Sequence, residues 1–484
     1  MFRTILLSLL FLGGAQPIWA FCGFYVAKAD LKLLNKASQV ILVRDGEQTT
    51  VTMYNDFQGK IEDFAMVVPV PEVLSRKQIK VIEGGIFQKI NDYSSPRVVQ
   101  YYDRNPCPAK YPALESQHMN LDEVVVVQSL RGRILGIGKK KYQVKVKKRY
   151  DIKGYSIVIL SAKNSKGLKL WLTDHGYKIP GQAAELLEPY IKSGMNFFVV
   201  KVNKMAINQM QGKYLKPIQI SYTSSRFMLP IRLGMANAEA PQDMLVYAFS
   251  KKGRIEASNY QTRNVPTNFD IPIPVLPKFG AFYNDLFAKT WSESSQGAVH
   301  LEYAWNLSGS NQVKCDPCVN PPLTYPQLTE AGVDWIKDVN RASYSGQVYF
   351  TRLHVRYDRQ RFPQDIQFIE TPNRQNFQAR YVLRHPPSGD LSCPQGSQYA
   401  VALQQRRSKE VSNLVAHTGW EAAPYESYIH AYDHFIKTEE LKDEDKGAPW
   451  PINGWWLLGL IPLGIYLLRL WKNGAKSLQM VRIS

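Results

Sequence analysis

The residues best equipped for chemistry in this chain are five cysteines, Cys22, Cys107, Cys315, Cys318 and Cys393, and a pair of histidines, His430 and His434. Cys315-Asp316-Pro317-Cys318 has the spacing of a redox dithiol, in which the first cysteine opens a helix whose N-terminus stabilises the thiolate. Asn320-Pro321-Pro322 follows almost at once and would stop such a helix, so this turn predicts a local disulfide or loop staple. Structural zinc needs a second close pair, whereas Cys107 and Cys393 each stand alone. In an oxidising compartment the five cysteines default to disulfides with one thiol left over, and spacing alone leaves the connectivity open.

His430 and His434 would share one face of a helix, a metal-compatible spacing, but Ala431-Tyr432-Asp433 between them lacks the glutamate of a metalloprotease. An exposed helix next to a membrane explains the pair as well. Arg352, His354, Arg356, Asp358, Arg359 and Arg361 form a polar strand region that could bind an anion, or could be the solvated side of an open sheet. The sequence carries no Gly-x-Ser-x-Gly elbow, phosphate loop or dinucleotide fingerprint. No catalytic, cofactor or metal residue is therefore assigned. A non-catalytic binding or structural module is expected; the alternatives are an envelope enzyme with a dispersed site, such as a thiol oxidoreductase, or an accessory subunit of a membrane complex.

The elements that must hold these residues read mainly as strands. Gln39–Arg44 and Thr49–Tyr54 flank Asp45-Gly46 as a hairpin, because the turn needs positive φ. Phe64–Val70, Glu123–Leu130, Tyr155–Leu160, Met195–Val202, Gln347–Tyr357 and Gln378–Arg384 read as further strands. Helices are expected at Ile86–Tyr93, from a Ser165 cap to near Gly176, from Pro180 to Gly194, and from about Tyr425 to Leu441. The fold class is α+β: a β-rich, multi-domain body with a few helices. Residues 21–210 and 211–436 are expected as two domains, since so long a body outgrows a single core.

The two ends predict where that body sits. Met1-Phe2-Arg3, the apolar run Ile5–Leu12, Gly13-Gly14, Pro17 and a small residue at Ala20 make residues 1–20 a secretory signal peptide. Cys22 is a poor lipidation site because bulky Phe21 precedes it. Residues 437–451 read as a charged spacer, 452–471 as one transmembrane helix flanked by Trp450, Trp455, Trp456 and Trp471, and 472–484 as a basic cytoplasmic tail. The expectation is a single-pass protein of the bacterial cell envelope with its body extracytoplasmic, periplasmic or at the cell surface. Its formal charge of +19 then suggests an anionic envelope component rather than nucleic acid. Membrane lipid, reached through the C-terminal helix, and a membrane-protein partner complete the expected contacts. The densest basic run, Lys139 to Arg149, alternates with Tyr142, Val144, Val146 and Tyr150, as a strand with one solvated face would.

Phe21-Cys22-Gly23-Phe24-Tyr25, the Ala37–Gly46 hairpin arm, Phe64-Ala65-Met66-Val67-Val68-Pro69-Val70-Pro71, the Cys315–Cys318 turn, Thr351-Arg352-Leu353-His354-Val355-Arg356-Tyr357 and Arg380–Pro386 together resemble the bacterial domain-of-unknown-function family numbered 2330. The likeness runs to about residue 386. It implies an exported envelope protein of no established activity.

Overall fold

Asp45-Gly46 turns the chain as its sequence requires. In the computed structural model, which describes residues 24–26, 38–55, 65–107, 143–175, 183–202, 216–237, 240–294, 296–308, 321–340 and 343–436, β1 (Phe24–Val26) precedes a hairpin of β2 (Ser38–Asp45) and β3 (Gln48–Asn55). Asp45 pairs with Gln48, so Gly46 and Glu47 make the turn, with Gly46 at φ +59° where a Cβ would strain. Next come β4 (Ala65–Val70), β5 (Ile79–Val81), α1 (Gly85–Ser94) and β6 (Arg97–Tyr102). The sequence places β4 and α1 correctly because β4 is a short continuous apolar run, as a strand buried on both faces is, and α1 repeats its apolar residues every three to four positions. The strand expected at Glu123–Leu130 lies outside the described residues.

A second group follows: β7 (Val144–Ile152), β8 (Tyr155–Ala162), α2 (Ser165–Asp174), α3 (Ala183–Lys192) and β9 (Asn196–Val202). The cap of α2 is Asn164, whose side chain accepts from the Gly167 amide at 2.7 Å; Ser165 is already inside the helix. These strands join β1 and β4 in a five-stranded sheet of order β1-β4-β9-β8-β7, with α2 and α3 packed on one face through Leu168, Trp171, Leu172 and Leu187.

The rest of the chain supplies β10 (Ile218–Thr223), β11 (Met228–Leu229), β12 (Gln242–Ser250), β13 (Ile255–Ala257), β14 (Gln261–Asn264), α4 (Phe279–Ser292), β15 (Ala298–Asn306) and α5 (Tyr325–Ala331). It continues with β16 (Lys337–Asp338), β17 (Tyr344–Ser345), β18 (Tyr349–Tyr357), β19 (Ile366–Glu370), β20 (Phe377–Gln378), β21 (Arg380–His385), α6 (Pro394–Thr418) and α7 (Glu426–Ile429). The main sheet runs β14-β15-β18-β12-β2-β3-β10-β5, with β20 beside β15. At its centre β2 lies parallel to β12, Val40 opposite Val246.

That pairing corrects the expected domain boundary. Strands from both sides of residue 210 share one sheet, and the described residues up to Phe435 form a single compact unit. The expected spacer, span and tail lie outside the described residues, as does the leader. Among the described residues no helix is long and apolar enough to cross a membrane.

The main core lies between the two sheets, where Val40, Leu42, Val246 and Leu353 meet Val68, Ile157, Phe198 and Val200. Each such side chain contributes about 1.5–3 kcal/mol on burial, so this interface rather than any ion pair carries most of the stability. The opposite face of the main sheet packs against α1 and α5 through Ile41, Phe249 and Phe350.

Three helices escape the sequence pattern. The longest, α6, runs through a polar stretch, and the helix expected at Tyr425–Leu441 is reduced to α7 and a 3-10 turn, Asp433–Phe435, with residues beyond 436 not described. The others are α5 and α4, the second of which covers the candidate site.

Candidate functional site

Along β18, successive residues point to opposite faces, so Arg352, His354 and Arg356 share one side of the sheet. That side is neither open nor an anion site. Helix α4 lies over it, with Tyr283, Phe287 and Trp291 one turn apart on a single face. Phe287 stacks flat on the His354 ring at 3.6 Å between centroids. The Trp291 indole donates to the Arg356 carbonyl at 2.9 Å.

The charges beneath α4 are answered from neighbouring strands. Glu302 on β15 is fully buried; its Oε2 accepts from Arg352 Nε at 2.6 Å and its Oε1 contacts His354 Nδ1 at 2.8 Å and accepts the Tyr283 hydroxyl. Asp243 on β12, 1% exposed, takes a two-pronged pair from Arg356 at 2.7 and 2.6 Å and lies 3.5 Å from His354 Nε2. Arg352 also donates to Asn91 at 2.9 Å, which ties the network to α1. His354 is thus held between two carboxylates.

Burial alone would drive the Glu302 carboxyl up, but Arg352 and His354 outweigh it and hold the group at about 2. Burial pulls His354 down, while Glu302 and Asp243 together keep it above its ordinary value. His300 sits directly opposite His354 on β15, 1% exposed, with neither ring nitrogen hydrogen-bonded; burial first, and His354 second, push it down to about 4. A carboxylate–imidazole–carboxylate array has the groups for proton transfer, but a general base must reach its substrate within hydrogen-bond distance. Here Phe287 seals the ring, and the acceptors are taken by protein donors. Asp358 and Arg361, also expected in the anion-binding region, pair with each other at 2.8 Å, and Arg359 donates to the Met235 carbonyl.

Of the five cysteines, the structure pairs Cys107 with Cys393, two residues that sequence spacing left isolated; Cys22, Cys315 and Cys318 lie outside the described residues, so the expected local bridge is not addressed. Cys107 follows β6, which runs parallel to β21, and Cys393 caps α6, its Sγ accepting from the Gly396 amide at 3.2 Å. Around the bridge Asp103 receives Arg406 at 2.6 Å and Tyr399 at 2.7 Å, and Asn105 donates to the Ser388 carbonyl. The segment after β6 is thereby strapped to α6.

Further along α6, Glu410 is 1% exposed and accepts the Tyr428 hydroxyl at 2.6 Å; burial pushes its carboxyl up to about 7. Arg407 beside it donates to the Tyr428 carbonyl and lies over the Tyr428 ring at 4.2 Å. These contacts dock the last turns on α6. They also separate the two histidines: His430 ends α7 and meets Asp433 at 2.7 Å, whereas His434 packs on Phe435 within the 3-10 turn. No group of three His, Cys, Asp or Glu among the described residues could hold a metal ion.

Between the ends of β4 and β10 an open groove of about 220 Å³ is lined by Pro69, Pro71, Met195, Tyr222 and Ser224, with Arg226 its one charged side chain. It lacks the paired acid and base that turnover chemistry needs.

A family model described as "Uncharacterized protein conserved in bacteria (DUF2330)" matches residues 16–369. Neither a curated protein nor a solved structure matches the chain. The match takes in the ion network and Cys107 and stops before Cys393.

Proposed function

We propose, for a chain that belongs to the bacterial DUF2330 family, a membrane-anchored role in the cell envelope in which the exported body is a non-catalytic binding or structural module. The observation that carries the non-catalytic reading is the sealing of His354 beneath Phe287, with Glu302 and Asp243 consumed by Arg352 and Arg356. This buried acid–base array then serves to fix α4 and α1 on the sheet. The Cys107–Cys393 bridge supports export, since such bonds persist in oxidising compartments and are rare in the cytosol. Residues 1–20 would direct that export and residues 452–471 would anchor the body, leaving a basic tail inside.

Protease added outside spheroplasts tests this arrangement. It should digest the body and spare only a small membrane fragment containing residues 452–484. A full-length chain protected from protease would overturn the proposed topology.

A further inference from the structure

Strand β7 is an edge of the five-stranded sheet, hydrogen-bonded to β8 on one side and, among the described residues, to no strand on the other. Its Lys145, Lys147, Lys148 and Arg149 are all exposed. The register sorts them around the edge. Lys145 and Lys148 stand opposite Ser161 and Ile159, on the side facing the inter-sheet core; Arg149 stands opposite Val158, on the helical side; Lys147 occupies a bulge between Val146 and Lys148.

Two further basic groups flank the strand. The Tyr150 hydroxyl donates to the Leu74 carbonyl at 3.1 Å, which sets the turn Arg76–Gln78, with Arg76 and Lys77 exposed, along the first side. Asn164 donates to Gln143 at 2.7 Å, which sets the start of α2, with Lys163 and Lys166 exposed, at the beginning of the strand. None of these cations forms an ion pair within the described residues, and Asp151, the acidic residue of the strand, accepts the Ser156 hydroxyl.

We infer that this edge is a binding surface for a linear, phosphate-bearing polymer of the envelope; the inference rests on the non-catalytic binding reading above and names its partner. Cations on both faces of a sheet edge suit a flexible chain that crosses it, whereas a flat lipid surface reaches only one side. Lysines predominate, and they bind phosphate as point charges that impose no fixed geometry, as a flexible chain of phosphates needs. Binding of this kind is driven by release of counterions and weakens steeply with salt.

The test measures binding of the detergent-solubilised full chain to immobilised long-chain polyphosphate across a salt series. Replacing Lys145, Lys147, Lys148 and Arg149 by serine should weaken binding about tenfold or more near ~150 mM salt and lower the salt slope by about 3. A control carrying Lys89→Ser, Lys192→Ser, Lys337→Ser and Lys409→Ser removes as much charge from other exposed positions and should stay within about twofold, as expected for cations outside the footprint. Circular dichroism confirms that both variants fold. Equal losses in the two variants, or no binding by the unaltered chain, would overturn the inference. So would capture by anionic nanodiscs with no affinity for polyphosphate. Self-association of the β7 variant with unchanged affinity would reduce the lysines to guards of a sheet edge. None of these results alters the protease result that tests topology.

Discussion

Glu302→Gln is expected to destabilise the body by about 3–5 kcal/mol, the range for removing one partner of a buried ion pair. Glutamine keeps the shape but removes the charge that Arg352, His354 and Tyr283 all address, leaving a guanidinium buried without its counter-ion. The pH dependence has a definite sign. The folded carboxyl titrates at about 2, below its ordinary 4.5, so its contribution is complete above that ordinary value and is lost as pH falls toward about 2. Urea titrations at neutral pH and through the acid range should therefore show a lower midpoint for the variant and a flatter acid limb. A loss under about 1 kcal/mol would mean the network does not hold α4 and α1 in place. Replacing Glu302, Arg352 and His354 together by apolar residues of similar size should restore much of the loss, because the desolvation cost disappears with the charges.

Loss of the Cys107–Cys393 bridge should cost about 2–5 kcal/mol, toward the upper end because the two residues are 286 apart and the bond closes a very long loop in the unfolded chain. Cys107→Ser also frees the Cys393 thiol at the start of α6, where it should become open to alkylation. Asp103–Arg406, Tyr399 and Asn105 remain to hold the strap, so the body should stay folded while amide exchange in residues 394–418 quickens. An unchanged urea midpoint would show that these polar contacts suffice without the bond.

The sequence made the local elements readable and hid the distant ones, for separable reasons. The hairpin around Gly46 has its Asp-Gly turn, β4, β8 and β9 are short continuous apolar runs, and α1 repeats its apolar residues at the helical period, so each is visible within a short window. Helix α6 has an inward stripe too, at Gly396, Ala400, Leu403, Arg407, Glu410, Val411 and Leu414, but two of those positions are charged and the stripe does not read as apolar. Pro394 at its first turn and Gly419 just beyond its end, at φ +76°, were the signals that could have marked it. On β18 the alternation of Arg352, His354 and Arg356 correctly grouped them on one face, yet nothing in that strand announces Glu302, Asp243 or the cover supplied by α4. The parallel contact of β2 with β12 is equally silent, since it joins segments that share no local pattern, and it is this contact that erases the expected boundary at residue 210. Cys107 and Cys393 looked isolated because only the pairing of β6 with β21 brings their surroundings together.

Whether the body is exported and disulfide-strapped is read by alkylating free thiols in intact cells and mapping the non-reduced peptides of the chain recovered from the envelope. A peptide pair joined through Cys107 and Cys393 is expected, both resistant to alkylation until reductant is added. Recovery of Cys107 and Cys393 as separately alkylated thiols would contradict it.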